Sequence, residues 1–310
     1  MKNFFFNNWL KAARPKTIPL SISGILVGSS FAIYQGFFDS IIFILAFITA
    51  VCFQVLSNFA NDYGDGLKGT DDDRIGPERV VASGLITLSQ IKKAIIVTSV
   101  FSLGFSLTLI FYVFDDSLLN ISIFIGLTIC SIIAAITYTV GKTPYGYYGF
   151  GDIFVFIFFG LISVVGSNFL YTKFFDHSLI LLAIIMGLLC TAVLNINNIR
   201  DIDNDKNSSK HTIPVQIGFK YAKYYHYLLI SLSIFLLFIW IAEFDYTSNF
   251  ILILFSFPIL LRHIYKVFQT KFSLDFKPLL SELAISVFLV SILISIFLIT
   301  YIYESKKLSN

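Results

Sequence analysis

An all-α, polytopic membrane protein with nine transmembrane helices is what this sequence predicts, and three observations predict it. The mean hydropathy is +0.81 and 56% of residues are hydrophobic. Only 13% are charged, against about 25% in an ordinary soluble domain. Uncharged windows recur that are long enough to cross roughly 30 Å of hydrocarbon, for which a helix needs about 20 residues. They fall near residues 17–38, 40–61, 94–114, 117–141, 153–172, 178–199, 224–242, 246–261 and 283–303, the eighth being the shortest. Lipid offers no partner to backbone polar groups, so these windows are helices, and none alternates like a barrel strand. One transmembrane domain, residues 1–310, is expected to hold them all.

Residues 1–16 carry Trp9, Lys11, Arg14 and Lys16 among aromatics, the pattern of an inner-leaflet lead-in or simply of a positive-inside anchor. No cleavable signal pattern is present. The first span is rich in small residues (Ser21, Ser23, Gly24, Gly28, Ser29, Ser30), which suits close helix packing. The second carries Gln54, Asn58 and Asn61 toward its end, and polar groups so placed face the protein interior. A long loop, 62–93, follows with five basic residues, six acids and a glycine density that suits backbone folded over a ligand. The third and fourth spans are apolar. Between the fourth and fifth comes a Tyr- and Gly-rich loop with Tyr138, Lys142 and Tyr147, readable as an aromatic belt or as rings beside a cationic intermediate. Cys52, Cys130 and Cys190 lie in spans and read as buried, unpaired thiols without metal spacing. His177, His226 and His263 are scattered.

Of the 22 Lys and Arg, 19 fall before the first span or in the loops on that same side, leaving Lys173, Lys306 and Lys307 opposite. That asymmetry puts the N-terminus in the cytoplasm and the C-terminus outside a cell (inner) membrane. The net charge of +3 says little apart from this distribution over the two sides, and nucleic acid is not an expected partner.

The second and sixth spans then both run inward, and each ends in an acidic motif. In helical spacing Asn58, Asp62 and Asp65 share one face, and so do Asn198, Asp201 and Asp205. A helix C-terminus disfavours carboxylates, so both clusters call for cations between them. Mg²⁺ prefers a few carboxylate oxygens, retained waters and phosphate oxygens. Asn58, Asp62 and Asp65 would hold one ion, and Asp201 and Asp205 the other, with loop Arg and Lys on the remaining phosphate charge. Neither Asp62 nor Asp205 is expected in a packed core. A neutralised diphosphate on an allylic lipid is a good leaving group, and the cation left behind needs π-faces and exclusion of water.

Asn61-Asp62-Tyr63-Gly64-Asp65 and Asp201-Ile202-Asp203-Asn204-Asp205 make the chain resemble the UbiA superfamily of intramembrane prenyltransferases over essentially its whole length. That pattern is Asn-Asp-x-x-Asp-x-x-x-Asp after the second helix and Asp-x-x-x-Asp after the sixth. Gly69 stands where the first motif's last Asp is expected, with Asp71 two residues on. The run from Asp73-Arg74-Ile75-Gly76-Pro77 to Arg79, and Tyr147-Tyr148-Gly149-Phe150-Gly151-Asp152, are most similar to the 1,4-dihydroxy-2-naphthoate polyprenyltransferases of menaquinone synthesis. The resemblance implies a UbiA-type bundle in the lipid bilayer that transfers a prenyl group from polyprenyl diphosphate to dihydroxynaphthoate, losing diphosphate and CO₂ to give demethylmenaquinol. It implies Asp62, Asp65, Asp201 and Asp205 as catalytic acids, and two Mg²⁺ ions held by these with Asn58, Asn61 and Asp71. Lys68, Arg74, Arg79, Lys142 and Arg200 are expected on the diphosphate, and Asn58, Tyr138 and Tyr147 near the acceptor or cation. Asp71, Asp72, Tyr147 and a diphosphate oxygen remain open as acceptor of the naphthol proton. Another acceptor (4-hydroxybenzoate, haem or a glycerol phosphate lipid) and a cation transporter are the alternatives.

Overall fold

The computed structural model describes residues 2–70, 79–115, 117–244 and 250–308, with side chains from Phe6 to Ile302. Among the described residues, nine helices are long and apolar enough to cross a membrane. A lead-in helix, Lys2–Ala13, precedes the first span, Ile18–Tyr34. The others are Ser40–Lys68, Leu88–Val113, Leu118–Thr137, Gly151–Thr172, Leu179–Arg200, Ile213–Ile241, Phe250–Gln269 and Ser273–Ile302. All nine expected windows therefore hold a helix. Their ends differ: the second runs on to Lys68, and the third and seventh begin earlier, at Leu88 and Ile213. Charged and polar turns extend these helices beyond the apolar stretch, where hydropathy carries no signal. The seventh is broken at Gly218, whose φ of 82° only glycine adopts readily.

The spans alternate between two faces. On one, Gln35 donates to Asp176 at 2.6 Å and Tyr112 to Asp39 at 2.9 Å, joining segments from three turns. On the other, Asn204 after the sixth span donates to the carbonyl of Thr70 after the second, at 3.0 Å. Both acidic motifs thus reach the same face. The ninth span ends beside the first, with Tyr301 and Tyr34 rings 6.1 Å apart, away from the motifs.

The sixth span is apolar all round until Asn195, as a helix enclosed by others must be, and it is the most buried. Its Leu182, Met186, Leu189 and Ile196 join the fifth, seventh, eighth and ninth spans in the main core. Close approach to the fifth span depends on glycine. A Cβ on Gly160 would lie 2.5 Å from the Cα of Gly187 and 2.6 Å from the Ala183 carbonyl. The fifth span is π-helical over Phe156–Gly166, and such wide turns concentrate at functional sites. A second cluster packs Leu56, Phe59 and Ala60 of the second span on Ile91 and Ile95 of the third. Between these two bodies a cavity remains.

The glycines of the first motif serve packing. Gly64 and Gly66 lie inside the helix, where a Cβ would meet Thr139 and Val81 at 2.6 Å, so these two serve helix contact; Gly76 and Pro77 of the same loop lie outside the described residues. His226 and His263, far apart in sequence, meet with Nε2 atoms 3.2 Å apart in the core.

Substituting Gly160 by Val should lower the stability of the detergent-solubilised protein by about 1–3 kcal/mol, the usual cost of overpacking. A melting temperature equal to that of the parent would contradict this contact.

Candidate active site

The first motif stays helical throughout. Asn58, Asp62 and Asp65 share a face as spacing requires, and the helix ends at Gly69, whose φ is 65° and whose N–H returns to the Asp65 carbonyl. The expected carboxylate is absent from a position where a left-handed cap favours glycine. The second motif differs from its expected single helix face. The sixth span ends at Arg200, Asp201 caps it, and Asp205 lies on a separate short helix, Ile202–Asn207. Electrostatics accounts for the break: Asp203 and Asp205 now occupy the first turn of a new helix, where carboxylates are favoured, instead of extending an unfavourable C-terminus.

Asp62 and Asp205 are each only 2% exposed, so both are enclosed, contrary to the expectation that they stand outside packed structure. Burial of carboxylates demands partners. Arg14 and Arg79 both pair with Asp62, the latter at 3.0 Å. Arg200 donates twice to Asp201, from Nε at 2.8 Å and Nη2 at 2.6 Å. Lys210 Nζ lies 3.6 Å from Asp205. Asp65 accepts from the Tyr147 hydroxyl at 2.8 Å, and that oxygen also meets Thr70 Oγ1 at 2.7 Å. Tyr147 is thus a second bridge between the motif regions, beside the Asn204–Thr70 bond, since the His211 N–H donates to its carbonyl at 2.8 Å. Lys68 Nζ stands 3.7 Å from the centre of its ring and donates to the Thr139 carbonyl at 3.2 Å.

Burial draws the Lys210 ammonium down, but the Asp65 and Asp205 carboxylates outweigh it and hold the group above its ordinary pKa. Burial, then the Asp65 carboxylate, pushes Tyr147 up. Tyr138 is pushed up to about 12, chiefly by burial. Both phenols are neutral near pH 7, and Tyr147 already donates to a carboxylate. It is therefore poorly suited to accept a proton.

A cavity of about 1070 Å³ meets this polar end. Arg14, Asn58, Asn61, Asp65, Arg79, Tyr138, Arg200 and Lys210 line it there. Asn58 gives its amide hydrogens to the Ala13 carbonyl at 2.9 Å and Thr17 Oγ1 at 3.1 Å, tethering the lead-in to the second span. Tyr138, Tyr145 and Phe154 follow along one wall as a contiguous aromatic set. Ala46, Ile110, Phe124 and Leu170 line the far part. Asp65 and Ala46 sit on one helix, whose rise of about 1.5 Å per residue separates them by roughly 28 Å. The slot therefore runs most of the way across the hydrocarbon.

Lys142 is exposed in its loop and does not line the cavity. Asp71, Asp72 and Arg74 lie outside the described residues. Sequence reasoning missed Arg14 and Lys210 as site residues. Arg14 precedes Pro15 and carries a positive φ of 50°, a conformation that costs a non-glycine residue about 1–2 kcal/mol, but a lone arginine before a span also has an ordinary reading as an anchor.

No three carboxylate, imidazole or thiol groups converge on one point among the described residues. Mg²⁺ typically binds through one or two carboxylates, waters and substrate phosphates. Asp62, Asp65 and Asn61 on one side, and Asp201 and Asp205 on the other, are the oxygen donors available.

The UbiA prenyltransferase family model matches residues 21–292. The chain belongs to this family. It is 48% identical over 227 residues to the 1,4-dihydroxy-2-naphthoate octaprenyltransferase of Escherichia coli (strain K12), covering 73% of each chain. To the protein of the same name from Haemophilus influenzae it is 40% identical over 296 residues, covering 93% of this chain and 94% of that one. In fold it is similar to a UbiA homolog from Archaeoglobus fulgidus bound to GPP and Mg²⁺, with a TM-score of 0.65, 14% identity, and coverage of 93% and 99%.

Tyr147→Phe removes a hydrogen bond to a carboxylate, worth about 1.5–3 kcal/mol. The expected result is an apparent affinity for the prenyl diphosphate weakened roughly tenfold or more, with product still formed. Abolition of turnover at saturating substrate would instead make Tyr147 the proton acceptor.

Proposed function

We propose that the chain is a 1,4-dihydroxy-2-naphthoate polyprenyltransferase, acting at the cytoplasmic face of the cell's inner membrane. It joins a polyprenyl diphosphate to dihydroxynaphthoate with loss of diphosphate and CO₂, giving demethylmenaquinol. The observation that carries the reading is a cavity that is apolar along its length and whose polar end is lined by Asn58, Asn61 and Asp65 of the first motif and by Arg200 and Lys210, which pair with Asp201 and Asp205 of the second. The extent of identity to naphthoate octaprenyltransferases supports the choice of acceptor.

Two Mg²⁺ ions are assigned, one to Asn61, Asp62 and Asp65 and one to Asp201 and Asp205. When bound, they supply the charge neutralisation that makes diphosphate a leaving group. The chain's own residues do the rest. Arg79, Arg200, Lys210 and Lys68 orient the phosphate oxygens, Arg forks doing so bidentately. The prenyl tail extends along the apolar slot, which fixes the allylic carbon near Tyr138 and Tyr145. Their ring faces suit the positive charge that develops as the carbon–oxygen bond breaks, and the enclosing helices keep water from capturing it. The naphthoate ring carbon that bears the carboxylate attacks that allylic carbon, CO₂ leaves, and aromaticity is restored. Arg14 and Asn58 hold the lead-in over the mouth of the site. An ion path across the membrane would require charged groups through the midplane, and the buried charged side chains among the described residues cluster at the motif end.

Membranes holding the protein, incubated with Mg²⁺, a polyprenyl diphosphate and dihydroxynaphthoate or 4-hydroxybenzoate in parallel, should yield a prenylated naphthoquinol identified by mass. A product only from the benzoate would overturn the acceptor. Asp62→Asn and Asp205→Asn, which keep side-chain shape, should each reduce transfer roughly 100-fold or more, the scale of losing an electrostatic stabiliser. Wild-type rates in either would remove that acid from the site.

A further inference from the structure

The basic residues paired with the acidic motifs are not equivalent. Arg200 grips the neighbouring Asp201, and Arg14 and Arg79 serve Asp62 of the first motif. Lys210 stands between the two motifs. Its ammonium is 3.6 Å from Asp205 and 5.3 Å from the ring centre of Tyr147, whose hydroxyl donates to Asp65 at 2.8 Å. The turn that brings it there is built for the purpose. Ser209 takes a φ of 54°, and the Lys210 N–H closes on the Asp205 carbonyl at 2.8 Å. The residue is only 9% exposed yet lines the cavity.

We propose that Lys210 is an internal counter-ion, joining the two motifs before substrate arrives and transferring to the diphosphate when it does, so that divalent-metal and diphosphate binding are coupled. The inference rests on the metal-dependent transfer proposed above. A divalent cation held by Asp201 and Asp205 while the ammonium stays beside Asp205 would place like charges side by side in a buried space, which strongly disfavours binding. Diphosphate supplies the ammonium with a new partner, and the repulsion becomes attraction. Metal alone therefore binds weakly, and metal with diphosphate binds tightly. The coupling is reciprocal, as linkage requires. Lys210 is thus a positioning residue whose signature lies in binding, not only in turnover.

The test is calorimetric titration of the detergent-solubilised full chain with Mg²⁺ alone, comparing wild type, Lys210→Met and Lys210→Arg. Removing the charge should tighten Mg²⁺ binding at least tenfold, while Lys210→Arg, which keeps the charge, should match wild type. In a parallel titration with inorganic diphosphate at saturating Mg²⁺, Lys210→Met should bind the anion at least tenfold more weakly. Unchanged or weakened Mg²⁺ affinity in Lys210→Met overturns the counter-ion role, as does equal tightening in Lys210→Arg. Lys210→Gln serves in place of Lys210→Met where the latter lacks a cooperative thermal transition. Because no acceptor or prenyl tail enters these titrations, their failure is distinct from failure of the product assay, which alone judges the naphthoate reading.

Discussion

Four carboxylates enclosed at one end of a membrane bundle set the terms for the rest of this structure. Asp62, Asp65, Asp201 and Asp205 are each less than a tenth exposed. An unpaired buried charge costs several kcal/mol, and breaking a buried pair costs about 3–5 kcal/mol. The partners come from four separated places: Arg14 on the lead-in, Arg79 before the third span, Arg200 at the end of the sixth, and Lys210 beyond it. A topology that delivers both acidic motifs to one face, with the lead-in and two basic loops around them, is therefore a condition of stability as well as of chemistry.

The same constraint explains the shape of the cavity. Charges gathered at one end leave the walls free to be apolar for the remaining depth of the membrane. Two bodies of helices leave a gap between them without collapsing because each has its own core. The sixth span anchors the larger one through contacts that reach backbone distance at Gly160 and Gly187. The second and third spans anchor the other. A further cluster of Ala32, Ala46, Ile110 and Leu170 joins the two at the far end, so the slot is closed there by packed side chains.

How much of this is legible in sequence depends on the range of the signal. Existence of the nine spans is legible because crossing hydrocarbon is a local requirement, met residue by residue in the window itself. Their ends are not, since Lys68 and Ile213 continue helices into polar surroundings where helix contacts, not lipid, decide. The two acidic motifs are legible because carboxylates beside a membrane span are rare and costly. The break at Asp201 is not, because helical spacing assumes the helix it is used to infer. Arg14 and Lys142 show the limit most clearly. Both are basic residues beside spans, and only tertiary contacts distinguish the one that pairs with Asp62 from the one left in an exposed loop. The meeting of His226 with His263 belongs to the same class, a contact between helices that no spacing within either helix encodes.

Gly69 carries the argument one step further. Glycine there ends the second span in a left-handed cap, and the turn directs the Thr70 hydroxyl onto Tyr147 and its carbonyl toward Asn204 and Ser208. Where the family pattern has another acid, this chain has a neutral junction that fastens the first motif to the second. Among the described residues, Arg14, Arg79, Arg200 and Lys210 match Asp62, Asp65, Asp201 and Asp205 in number before any ligand is present. A diphosphate arriving with divalent ions adds little net charge of its own, so loading the site becomes an exchange of ion partners within a nearly constant total charge. In a buried pocket that is the arrangement with the smallest electrostatic barrier, because no step requires an uncompensated charge to enter the membrane interior.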